Sequence, residues 1–309
     1  HVEGQEDGSF DDGDYLDFFG KRNDGTQDTE LYLRPSYQAH TFYNLFSDTT
    51  AYFLTEAQTL GKRMPLSSES SSGSSGESHH LKEILQLHTS QFSFGQYYPI
   101  GSVNSETKLA EYDLGQGWIG NNIEKTDRTV EAGTNHRDFV IDGIVLRRES
   151  DDDPRLEVQV VGFGNVQHKA RLYVGPSLEE LRLIRDEWRF DYASIAKETQ
   201  QIQWSDISSN GRLFIRVEEV GFPEFARDVI FVSYIKVTFP QEIDVQAQSG
   251  VAFNIDKPEL GLAKLTINNV LDNQRTYDVT DVNHPIRLAT TAINNNSVES
   301  VVRMTQRLQ

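Results

Sequence analysis

Val229-Ile230-Phe231-Val232-Ser233-Tyr234-Ile235-Lys236-Val237-Thr238-Phe239 is a long run of β-branched and aromatic residues, apolar at both odd and even positions. Such a run reads as a central strand covered on both faces. Shorter strands surround it in sequence. Leu156, Val158 and Val160 alternate with Glu157 and Gln159, and Leu213, Ile215 and Val217 alternate with Phe214, Arg216 and Glu218. A period of two with one apolar parity places one face in a core. Asp151-Asp152-Asp153-Pro154 and Ser208-Ser209-Asn210-Gly211 supply turn chemistry between such strands. From about 79 to 239 the sequence therefore predicts a β-sandwich. One segment resists this. Ser177-Leu178-Glu179-Glu180 has the form of a capping box, with Leu178, Leu181 and Ile184 at helical spacing. It reads as a short helix or as a strand with an irregular edge. A second short helix is expected from Ser36 to Leu45, after Pro35.

Outside this span the character changes. Residues 7–64 are rich in aromatics and in Asp/Asn/Gly turns. Asp14-Tyr15-Leu16-Asp17-Phe18-Phe19-Gly20, then Asn23-Asp24-Gly25, then Asp48-Thr49-Thr50-Ala51-Tyr52-Phe53-Leu54-Thr55 read as a strand, a turn and a second aromatic strand. Tyr15, Phe18, Tyr52 and Phe53 are expected to pack in a core. The serine and glycine run from Ser67 to Gly76 cannot bury apolar surface and is expected to be a flexible surface loop. Beyond Pro240, Val251–Ile255, Ala263–Ile267 and Ile286–Thr290 read as short strands, with Tyr277-Asp278-Val279-Thr280-Asp281 between them. Residues 1 to 66 hold few strands. They are expected to complete the sheet of residues 246–309, with the sandwich inserted between.

Composition bounds the function. The chain has 309 residues and a net charge of −18, which disfavours binding to nucleic acid or to an anionic membrane. It contains no cysteine, which removes disulfides, thiol catalysis and cysteine–metal sites. No apolar run approaches the ~18 residues of a membrane-spanning helix. Because it starts at His1, the chain is expected to be a processed or truncated product.

The ordered set of motifs resembles the N-terminal region of gingipain-like cysteine peptidases, closest to the PorU-like sortases of the type IX secretion system of Bacteroidota. The residues that carry the resemblance are Asp17-Phe18-Phe19-Gly20, Asn23-Asp24-Gly25, Ser47 to Thr55, Lys62-Arg63-Met64, Gly115-Gln116-Gly117-Trp118, Tyr234 to Pro240, and Tyr277 to Asp281 with Pro285. The resemblance implies a jelly-roll-like sandwich and an Ig-like module in front of a peptidase domain that would follow Gln309 and carry the catalytic His and Cys. No catalytic residue transfers to this chain. The resemblance also implies a secreted, cell-surface setting. Its implied partners are the peptidase domain of the same polypeptide and type IX secretion components, including an outer-membrane barrel protein. The expected fold class is thus mainly β: a jelly-roll-like β-sandwich plus a smaller Ig-like β module, with few short helices. The expected boundaries are 1–78 (with the Ser/Gly-rich loop 67–78), 79–245 and 246–309.

Candidate ligand-binding residues each have a plainer account. Asp7, Asp11, Asp12 and Asp14 could supply oxygens to calcium, although their spacing does not fit the twelve-residue loop and a solvated turn explains them too. His79, His80 and His88 invite a zinc reading, but the first two adjoin the flexible run, so a structural role is the simpler account. His40, His136, His168 and His284 are scattered and uninformative. Trp118, Tyr97 and Tyr98, with Trp188 and Trp204, could stack on sugar rings; filling the core is the plainer account. This leaves a stand-alone carbohydrate-binding or adhesin sandwich as the rival to the peptidase front region. Gly162-Phe163-Gly164 lacks the rest of a dinucleotide motif and reads as a turn.

Overall fold

The computed structural model describes residues 2–3, 12, 15–16, 18–53, 55, 64–67, 69, 76–95, 111–126, 135–248, 250–256, 261–272 and 274–304. They fall into two compact units, 23–48 with 82–241, and 1–22 with 49–81 and 242–309. The mainly β class expected from the sequence is what the chain adopts.

The larger unit is a sandwich of nine strands: β1 (His80–Leu87), β2 (Asn122–Thr126), β3 (His136–Ile141), β4 (Arg155–Phe163), β5 (Gln167–Gly175), β6 (Arg182–Asp191), β7 (Ile195–Gln201), β8 (Leu213–Glu219) and β9 (Arg227–Gln241). One sheet runs β7-β4-β9-β1, with β2 also on β9; the other runs β6-β5-β8-β3. With β1 and β2 sharing one position, this is the strand order of a jelly roll. Alternation explains the core between the sheets. Leu156, Val158 and Val160 of β4 face Ala170, Leu172 and Val174 of β5 and Leu213, Ile215 and Val217 of β8, all fully buried.

The central strand β9 is apolar on both parities for two reasons. Its register on β4 slips between Val232 and Tyr234, so Ser233 is an extra residue in a bulge. The inward set therefore passes from Ile230 and Val232 to Ile235, Val237 and Phe239. The opposite face is covered as well: Val229 and Phe231 pack with Ile119 and Val161, with Ala39 and Ile195 against them. Further along that face, Tyr234 is met by Phe42 and His40, with ring centroids 5.0 and 5.6 Å away.

The smaller unit contains β10 (Gly261–Asn268), β11 (Thr276–Asp278), β12 (Ile286–Leu288), β13 (Thr290–Asn294) and β14 (Ser297–Met304). One sheet runs β10-β14-β13. In another, β12 lies between β11 and the two-residue strand Leu66–Ser67, which it pairs in parallel. Ile243, Val245, Ala263, Leu265, Ile267, Leu288 and Val302 form its core.

Several local expectations are corrected. Ser177–Glu180 is a bend, and Arg182 onward is strand β6, because pairing with β5 outweighs the local helical spacing. The expected helix from Ser36 to Leu45 shrinks to one 3-10 turn at Pro35–Tyr37. Residues 48–53 and 251–256 form no strand. Phe18 and Tyr52 pair at 5.5 Å but stay exposed, and Phe53 is 92% exposed, so this aromatic set is surface rather than core. The side chain of Tyr15 lies outside the described residues. Of the serine and glycine run, residues 68 and 70–75 lie outside the described residues, so the expected flexible loop is not tested there; Glu69 binds Arg303 at 2.7 Å, and Gly76 bridges to Lys264.

Candidate functional site

The inward parities of four strands converge at one end of the sandwich on residues that are not apolar. Continuing the series Leu156, Val158, Val160 along β4 gives Gly162. Reading β5 back from Val174, Leu172 and Ala170 gives His168. Extending Leu213, Ile215 and Val217 along β8 gives Glu219, and reading β9 back from Val232 and Ile230 gives Asp228. His168, Glu219 and Asp228 are all buried, with exposures of 0%, 0% and 1%. Their ligand-type atoms lie within 4.8 Å of one another.

Each group is held in place. The His168 ring stacks on Phe190, with centroids 4.9 Å apart and planes 27° from parallel. Its Nε2 donates to the carbonyl of Tyr192 at 2.8 Å, which fixes the proton on that nitrogen. Nδ1 then points at Asp228 Oδ1, 2.5 Å away. Gly162 makes room for this: a Cβ there would lie 2.1 Å from the Tyr192 oxygen and 2.4 Å from Nε2. Glu219 Oε1 accepts from the backbone N–H of Gly221 at 2.7 Å and of Lys169 at 3.4 Å. Gly221 sits at φ +61, so the chain can turn its N–H back onto the carboxylate.

The charge balance is left open. Glu219 Oε2 and Asp228 Oδ2 are buried without an N–H or hydroxyl donor. Among the described residues no Lys or Arg pairs with either carboxylate. Burial, then the negative charge of Asp228, pushes the Glu219 carboxyl up to about 9. Two carboxylates and a neutral imidazole out of water demand two positive charges. Two protons supply them, one between Nδ1 and Oδ1 and one shared between Oε2 and Oδ2. One divalent cation supplies them equally.

The residues singled out from sequence lie elsewhere. Trp118, in the short strand Gly117–Ile119, is half-buried between the ring edges of Phe92 at 5.3 Å and Tyr43 at 6.3 Å. Its Nε1 donates to the carbonyl of Leu45 at 3.2 Å. Trp188 is buried in the sandwich core, and Trp204 packs against that core beneath Arg147. Tyr97, Tyr98, Asp7, Asp11 and Asp14 lie outside the described residues; Asp12 is exposed. His79 meets Ser78, His80 packs on Phe253, and His88 on Phe139, so the three histidines have separate surroundings. His168, which the sequence reading set aside, is the histidine that joins a cluster.

No protein-family model and no curated protein sequence matches the chain. Among solved structures, the chain is similar to dimeric latent PorU from Porphyromonas gingivalis, with 10% identity and a TM-score of 0.50 over 78% of this chain. The match spans 20% of that protein's length. A likeness to the coat protein of tobacco streak virus covers 52% of this chain and 87% of that one at 9% identity; its TM-score of 0.22 carries no argument. At such identities a likeness speaks to fold alone, and the fold in question is one found within PorU.

Proposed function

We propose that this chain is a non-catalytic, β-rich front region of a secreted, surface-held peptidase of the PorU-like sortase class. In this reading it is a scaffold and docking surface for the peptidase domain of the same polypeptide. It also docks type IX secretion components, including an outer-membrane barrel protein. The likeness in fold to PorU over 78% of the chain is the observation that carries it. Three features support it. The chain has no cysteine, hence no thiol nucleophile. Its best-organised set of titratable groups is closed to solvent and suits structure better than turnover. The smaller unit leaves Phe18, Tyr52 and Phe53 exposed, an apolar surface of the kind that marks an interaction site.

The test is the reading frame beyond Gln309. A continuation carrying a His and a Cys in a peptidase-like α/β pattern is expected. Replacing Tyr52 and Phe53 by Ser in that longer protein is then expected to loosen the region from its partner in limited proteolysis. Peptidase activity in the isolated chain, lost on a substitution within it, would overturn the reading.

A second reading, a glycan-binding jelly roll, is favoured by the exposed rings of Phe46 (71%) and Phe94 (56%) near the Trp118 cluster. A stop codon soon after Gln309, with glycan-array binding abolished by Trp118→Ala in a folded protein, would select it.

A further inference from the structure

We propose that His168, Glu219 and Asp228 form a site for one divalent transition metal ion, of the zinc or manganese kind, that ties the two sheets of the jelly roll together. This rests on the cluster's geometry and not on the peptidase reading. His168 and Glu219 belong to β5 and β8 of one sheet, and Asp228 to β9 of the other. An ion among them therefore bridges the sandwich where its apolar core ends.

The donor set defines the class of ion. One imidazole nitrogen with carboxylate oxygens suits borderline divalent metals. Calcium, which takes an all-oxygen shell of roughly 6–8 ligands, is a poor match. The surroundings are those of a ligand shell rather than of an isolated acid pair. A metal-binding histidine commonly donates its other ring N–H to a backbone carbonyl, which fixes the tautomer and aims the lone pair. His168 does this through Nε2 and Tyr192, leaving Nδ1 directed at Asp228, with Glu219 within 4.8 Å. Glu219 is held the same way: Gly221 and Lys169 bind Oε1, so Oε2 is the oxygen left to a ligand. Asp228 likewise keeps Oδ2 without a donor.

Electrostatics favour occupancy. Among the described residues no Lys or Arg side chain reaches the two buried carboxylates, and His168 meets Asp228 alone. A divalent ion neutralises both at once. Because the cluster is buried, the ion enters as the sandwich folds, and metal affinity adds to folding stability.

The experiment is refolding of the full chain from urea in EDTA, in ZnCl2 or in MnCl2, at neutral pH. Bound metal is then measured by mass spectrometry after gel filtration, and Tm is recorded. Expected are close to one equivalent of one metal per chain and a Tm several degrees above that of the EDTA sample. Glu219→Gln and His168→Gln are expected to lose both the equivalent and the Tm shift while keeping a β circular-dichroism spectrum. Glu219→Gln preserves the shape of the site and an N–H toward Asp228, so loss of metal there is separable from loss of fold. Wild-type protein that retains no metal and has the same Tm in all three buffers would overturn the proposal and leave the two-proton state. Metal retained equally by both variants would overturn it too, by placing the ion elsewhere.

Discussion

In metal-free protein the Glu219 carboxyl makes stability fall as pH rises. The group is fully buried, and burial followed by the charge of Asp228 raises it from 4.5 to about 9. An acid raised on folding contributes fully below its unfolded value and loses that contribution as pH climbs toward the folded value. Between those limits the folded chain keeps a proton that the unfolded chain has released. Each pH unit then costs about 1.4 kcal/mol. Glu219→Gln removes the need for that proton and keeps a hydrogen-bond donor facing Asp228. The unfolding free energy of the variant minus that of wild type should therefore rise by roughly 3 kcal/mol between pH 5 and pH 7, and continue upward to pH 8. Taking the difference cancels the many exposed carboxylates common to both proteins. The assay is urea unfolding in EDTA, followed by the fluorescence of Trp188 and Trp204, at pH 5, 6, 7 and 8. A difference independent of pH would show that Glu219 is ionised in the folded chain and would refute the reasoning.

Other outcomes follow from single positions. Gly162→Ala places a Cβ 2.1 Å from the Tyr192 carbonyl and should cost about 3 kcal/mol or more in urea unfolding. Gly164→Ala, at φ +89 but in open space, should cost only ~1–2 kcal/mol. Phe239→Ala, deep in the sandwich, should cost about 3–5 kcal/mol, whereas Arg216→Ala, which breaks the pair with Asp138 at 2.6 Å, should cost less than about 1 kcal/mol. The same Arg216 substitution should raise the Asp138 titration seen by NMR, because its hydrogen bond holds that carboxyl down. Burial lowers His40 to about 4, so its ring resonances should titrate near that value. Stability from His40 is then full above pH 6.5 and is lost as pH falls toward 4; an NMR midpoint near 6.5 would contradict this.

Much of the sandwich was legible in the sequence because strand parity is a local signal. Leu156 to Val160 and Leu213 to Val217 announced their inward faces, and Val229 to Phe239 announced a strand covered twice. The bulge at Ser233 was not visible, since a register slip depends on the partner strand. The spacing Leu178, Leu181, Ile184 suggested a helix that strand pairing overrode. The aromatics of Phe18, Tyr52 and Phe53 suggested burial that no second layer among the described residues provides. The buried cluster escaped for a different reason. His168, Glu219 and Asp228 come from three strands, and no short motif joins them. A signal was present all the same: each stands where an inward series would next call for an apolar residue, and Gly162 stands in the fourth such place.

The parallel pairing of Leu66–Ser67 with β12 has a consequence for how the polypeptide is made. Strand partners about 220 residues apart cannot meet until most of the chain has emerged, and closing so long a loop is slow. The whole jelly roll, from Lys82 to Gln241, lies inside that loop. It can therefore finish folding while the smaller unit still waits for its last strands. During synthesis, that waiting unit is the segment left open to proteases and chaperones.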